Sequence, residues 1–152
     1  MSLAMSLHVL FAVIWVGGMI FAMVVMRPVV GGQLEASQQG PFMTAILGRF
    51  FKLVWAAVII VPATGFWTVL SVYGGFKGLG AHVHLMTAVG LVMVAIFVFI
   101  YFALYRPFKA AVAAKNPQVA GPKMAKMRLL IWTNLVLGVL VILVAAAGKY
   151  SN

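Results

Sequence analysis

Apolar residues fill this chain in four long runs, and the charged positions fall almost entirely between them. Stretches free of Lys, Arg, Asp and Glu extend over 1–26, 53–76, 78–105 and 129–148, each at or above the roughly 20 residues that cross about 30 Å of hydrocarbon. The pattern predicts four transmembrane helices at about 2–29, 49–73, 81–107 and 122–149, in a single domain over 1–152. Between them, 31–48 (GGQLEASQQGPFMTAILG) reads as a polar, glycine-bearing loop closed by Arg49 and Lys52. The stretch GGFKGLG at 74–80 reads as a tight turn, and 106–128 (RPFKAAVAAKNPQVAGPKMAKMR) as a basic connection broken by prolines. No internal repeat is visible. The fold class implied is all-α: an integral membrane, up-down-up-down four-helix bundle whose first and third helices run parallel and face each other diagonally.

Composition agrees with the pattern and narrows the function classes. Of 152 residues, 65% are hydrophobic and 8% charged, with a mean hydropathy of +1.15, against about a quarter charged in soluble domains. A single acidic residue, Glu35, stands against eleven Lys and Arg, for a formal net charge of +10. Those charges sit at the ends of apolar runs and form no basic stripe, so nucleic acid is not the expected partner; the lipid bilayer is. Absence of cysteine excludes disulfides, iron–sulfur clusters and thiol catalysis. The first apolar run lacks a basic leader and a small-residue cleavage site, and is expected to be a retained helix.

Charge also predicts orientation. Arg27, Arg49, Lys52, Arg106, Lys109, Lys115, Lys123, Lys126 and Arg128 fall on one side, and Lys77 and Lys149 on the other. By the positive-inside rule both termini lie outside the cytoplasm, as expected of a multi-pass protein of a bacterial inner membrane.

Within the runs, Pro62 and Gly65 interrupt the second helix, where a missing N–H produces a kink that can open space for a ligand. Gly17, Gly18 and Gly138 read as close helix contacts, and Asn134 as an interhelical hydrogen-bonding residue.

Three histidines carry the candidate chemistry. His8, His82 and His84 all lie near the outer ends of the first and third helices, and an ionisable residue at membrane depth is a site hypothesis by default. Counted from Arg27 and Arg106, His8 and His84 stand about 28 and 33 Å out, and His82 about 36 Å, at 1.5 Å per residue. Positions 82 and 84 point about 200° apart on a helix, so only one faces a given core. The His84 face continues through Ala88, Leu91, Ala95 and Phe102, with alanines that leave room beside a ring. The His82 face continues through Met86, Val89, Met93, Ile96 and Ile100, a bulkier row suited to lipid or ordinary packing. His84 is therefore the expected partner of His8, whose own face continues through Ala12, Trp15 and Met19.

Two opposed imidazoles in a four-helix core suit the axial positions of a b-type haem, and the absence of C-x-x-C-H excludes covalent haem. Expected cofactor contacts are His8 and His84, with Ala12, Trp15, Ala88, Thr68 and Ser71 around them; His82 is a further metal ligand candidate. A bis-histidine haem exchanges electrons, so the expected role is electron transfer or haem-linked redox chemistry, with a redox partner or quinone. Whether the chain is an enzyme, an oxidoreductase, stays open, as does homo-oligomerisation. The alternative is copper transport or resistance using the same histidines plus Met19, since imidazole suits copper and thioether sulfur suits Cu(I). A third is a structural subunit of a larger membrane complex.

The segment LHVLFAVIWVGGMIF, with His8, Trp15, Gly17 and Gly18, resembles the first helix of the copper resistance protein D (CopD) family and its small four-helix relatives. Trp55, Thr64-Gly65 and the MRLLIWTNLVLGVLVILV run are similar to the same group. A more distant likeness is to the HemJ-type protoporphyrinogen oxidase, which has a first-helix histidine and a histidine-x-lysine pair opening the third helix. Here that stretch is His82-Val83-His84, with histidine in the lysine position, which departs from the oxidase pattern and is compatible with haem ligation. The resemblance implies the four-helix membrane fold and a b-type haem.

Overall fold

The computed structural model describes residues 2–148 and Tyr150. Lys149, counted above for orientation and as the last residue of the fourth predicted helix, lies outside the described residues. Among the described residues all regular structure is helical. Four helices are long and apolar enough to cross a membrane: α1 (Leu3–Gln33), α2 (Ala36–Ser71), α3 (Ala81–Ala113) and α4 (Pro117–Gly148).

The helices run further than the apolar runs that predict them, and the expected 31–48 loop is almost entirely helical. α1 continues to Gln33, only Leu34 and Glu35 break the chain, and α2 begins at Ala36. Local polar bonding explains the short break. Glu35 and Gln38 form a reciprocal capping box, and the Gln39 side-chain amide donates to the Leu34 carbonyl at 3.0 Å, so the orphan groups of the new helix are satisfied at once. The expected 106–128 connection is corrected in the same way. α3 passes through Arg106-Pro107 to Ala113, and α4 opens at Pro117 after a turn in which Lys115 has φ 53°. Proline at a helix start loses no bond, because its N–H would be an orphan there.

A device repeated between α1 and α3 escapes the sequence. Each helix widens into a π turn, Phe21–Met26 in α1 and Ile100–Tyr105 in α3, immediately before an Arg-Pro pair. The Arg27 N–H reaches back to the Ala22 carbonyl, and Arg106 to Tyr101, five residues each time. Pro28 and Pro107 have no N–H to offer and crowd the carbonyl four residues back, so the preceding turn relaxes into a wider ring.

α1 packs on α2 and α4, and α3 on α2 and α4. Early α1 meets late α2, with His8 against Gly65 and Gly18 against Phe50. Early α3 meets late α4, with His82 against Gly148 and Met93 near Gly138. Side-chain polar bonds pin the sequential interfaces: His8 to two groups of α2, the Tyr105 hydroxyl to the Thr44 carbonyl at 3.0 Å, and the Asn134 side-chain amide to the Met93 carbonyl at 3.2 Å. Gly18 and Gly138 are the close-contact glycines, whereas a Cβ on Gly17 would meet nothing within 4 Å. Outside the core, large apolar residues such as Val13, Ile59 and Leu143 are exposed, as contact with a bilayer requires.

Candidate functional site

The most constrained of the three histidines is His8. Its ring lies in the notch that Pro62 and Gly65 make in α2, with Cε1 3.1 Å from where a Gly65 Cβ would stand. The imidazole itself occupies the space beside Gly65. His8 Nδ1 lies 2.9 Å from the Val61 carbonyl and 3.2 Å from the Thr64 hydroxyl. A carbonyl only accepts, so Nδ1 carries the hydrogen and the neutral ring keeps its lone pair on Nε2. Among the described residues no hydrogen bond reaches Nε2. Thr64 in turn donates to the Ile60 carbonyl at 2.6 Å, which holds its oxygen in place beside the ring.

Residues expected around His8 separate into two groups. Trp15 and Met19 are buried and Ala12 is half-buried on the same face of α1. Thr68 is buried one turn beyond Thr64, its hydroxyl donating to the Thr64 carbonyl at 2.9 Å. Ser71 is exposed and bonds back to the Trp67 carbonyl.

On α3 the expected faces are exchanged. His84, Ala88, Leu91, Ala95 and Phe102 are exposed, while the row from His82 through Met86, Val89, Met93, Ile96 and Ile100 is half-buried or buried. The physical reason lies in α4. Glycine at 138 lets Val16 and Met93 approach it, so the bulky row is the one that fills the core, and the alanines beside His84 are an outer surface. His84 rests near Phe76 of the preceding turn, ring centres 6.0 Å apart. His82 packs on Gly148, where a Cβ would come within 2.7 Å of the ring. No hydrogen bond or ring contact joins His8 to His84 among the described residues. Nor do the described residues contain a group of three or more His, Asp or Glu able to hold a metal.

Soft donors occupy the core instead. Met19, Met23, Met93 and Met127 are buried in one cluster. Asn134, bonded to the Met93 carbonyl, is buried with its own side-chain oxygen unpartnered, an omission that costs about 1–3 kcal/mol in an apolar interior.

A family model described as copper resistance protein D matches residues 44–147, more than half of the chain. The chain belongs to the copper resistance protein D family. The matched stretch contains the α2 notch, both α3 histidines and Asn134, while His8 lies before it. No curated protein and no solved structure is matched. Family membership and the four apolar helices together make this a multi-pass membrane protein. Sequence reasoning named Thr64 only for the family likeness and passed over Val61; the Pro62-Ala63-Thr64-Gly65 cluster was the available signal for both, since a proline and a glycine one turn apart mark a place where another helix can approach.

Proposed function

We propose that this chain handles copper within the membrane, with His8 Nε2 as the ligand of the outward half and the buried thioethers of Met19, Met23, Met93 and Met127 as soft contacts deeper in the bundle. Copper is the cargo, and Cu(I) is the form that thioether and imidazole donors suit. The observation that carries this reading is the fixed tautomer of His8. Nδ1 donates to a backbone carbonyl while Nε2 keeps an unshared pair, the second-shell arrangement usual for a metal-ligating imidazole. The unpartnered Asn134 oxygen adds a polar group on the residue bonded to Met93. His82 and His84 are proposed as peripheral ligands at the same end of the molecule. The nine-to-two division of cations supports an up-down-up-down bundle with both termini and the His8 end outside the cytoplasm of a bacterial cell.

Purified in detergent and loaded with Cu(I) under reducing conditions, the protein is expected to be colourless and to retain stoichiometric copper that His8→Ala loses. A Soret band with sharp reduced α and β bands would restore the haem reading and overturn this one. A protein that binds neither would be a structural subunit.

A further inference from the structure

Between α2 and α3, toward the cation-rich end of the bundle, lies a cleft that is chemically distinct from the His8 region. A cleft of about 300 Å³ is lined there by Arg49, Lys52 and Trp55 of α2 and by Tyr101, Tyr105 and Lys109 of α3, among others. A second cleft shares Tyr101, Tyr105 and Lys109 and adds Arg106. The Tyr105 phenol props the helices at a fixed spacing. Its hydroxyl donates to the Thr44 carbonyl at 3.0 Å over Gly48, where a Cβ would come within 2.7 Å of the oxygen. Trp55 and Tyr101 meet edge to face with centres 5.3 Å apart, forming the inner wall.

Charge decides what this cleft suits. Three cations, Arg49, Lys52 and Lys109, line it, with Arg106 on the adjoining cleft, and the chain's single acidic residue, Glu35, is engaged in capping α2. Among the described residues no carboxylate is paired with them. Lys109 lies eight residues, about 12 Å, beyond Tyr101 along α3, and Lys52 three residues from Trp55 along α2. The cleft is therefore cationic at its mouth and aromatic further in, the polarity of an amphiphile standing in one leaflet, with Trp and Tyr at headgroup level. Arg and Lys suit phosphate oxygens, and basic pockets between membrane helices accept phospholipid headgroups. The volume holds a headgroup and not two acyl chains. Exposed Leu53 and Ile59 of α2 and Phe102 of α3 offer those chains an apolar surface outside.

We infer that the α2–α3 cleft binds the phosphate headgroup of an anionic phospholipid. Its occupant bridges the two helices through their cations and completes the charge balance of this end of the bundle. The site is independent of copper chemistry.

The test counts lipids retained by the delipidated full chain from micelles of phosphatidylglycerol and phosphatidylcholine, by native mass spectrometry. Wild type is expected to keep phosphatidylglycerol in preference to phosphatidylcholine. Arg49→Gln/Lys52→Gln/Lys109→Gln should weaken that retention by about tenfold or more. The control Lys115→Gln/Lys123→Gln/Lys126→Gln removes the same charge away from the cleft and should retain the lipid. Ala45→Trp, which fills the cleft without changing charge, should displace it, so the result does not depend on the triple variant folding. Equal loss in the control, retention in Ala45→Trp, or displacement by millimolar inorganic phosphate would each overturn the assignment, the last by making free phosphate the ligand.

Discussion

His8 shows how one side chain can be committed on one side and available on the other. Burying an imidazole against α2 is tolerable because Nδ1–H has a carbonyl acceptor at 2.9 Å and a hydroxyl at 3.2 Å. Gly65 is the condition for that seat. Gly65→Val should push the ring out of the notch, and Thr64→Val should leave the Val61 bond while loosening the ring. In a Cu(I) competition assay with a chromophoric chelator, Thr64→Val is expected to weaken binding by roughly tenfold and Gly65→Val by more. Equal affinity in both variants would remove His8 from the proposed ligand set. The sequence gives the residue and its depth; it does not give the partner, since Val61 contributes a backbone carbonyl, which every residue has.

Helix packing separates neighbouring glycines that look alike in sequence. A Cβ on Gly18 would strike the Phe50 ring, while one on Gly17 would meet nothing within 4 Å. Gly18→Ala is therefore expected to destabilise the α1–α2 pair by about 1–3 kcal/mol through overpacking. Gly17→Ala should be neutral, or stabilising by up to about 1 kcal/mol from helix propensity. Reversible unfolding in mixed detergent micelles distinguishes the two. The π turns belong to this scale too. Each follows from an Arg-Pro pair that is plain in the sequence, yet whether proline ends a helix or merely widens it depends on neighbours. In α3, Tyr105 within the π turn is buried against Phe51, ring centres 5.0 Å apart, and bonded to Thr44. That packing carries the helix past Pro107.

At the scale of the molecule, charge asymmetry predicts sidedness, and the absence of cysteine makes the prediction direct to check. Single cysteines placed at Ser2 or Lys77 should react with a membrane-impermeant maleimide in intact cells, and a cysteine at Lys115 only after permeabilisation. The reverse labelling would invert the bundle and place His8 on the cytoplasmic side. Both outcomes leave the α2–α3 cleft at the cation-rich end.

Four apolar runs and their charged boundaries were legible in the sequence by itself, because the cost of carrying charge through hydrocarbon forces those features into local order. The inward turn of Trp15 and Met19 was legible too, through the helical period. Three matters waited for the tertiary structure. The first is which face of α3 packs inward, decided by Gly138 on α4 and reversed from expectation. The second is the helical path through 31–48 and 106–113, decided by capping and by the contacts of Tyr105. The third is the closure of the α2 notch by His8. Each depends on what a distant segment places opposite a residue, and periodicity along one helix fixes the angle between its faces without saying which face has a neighbour.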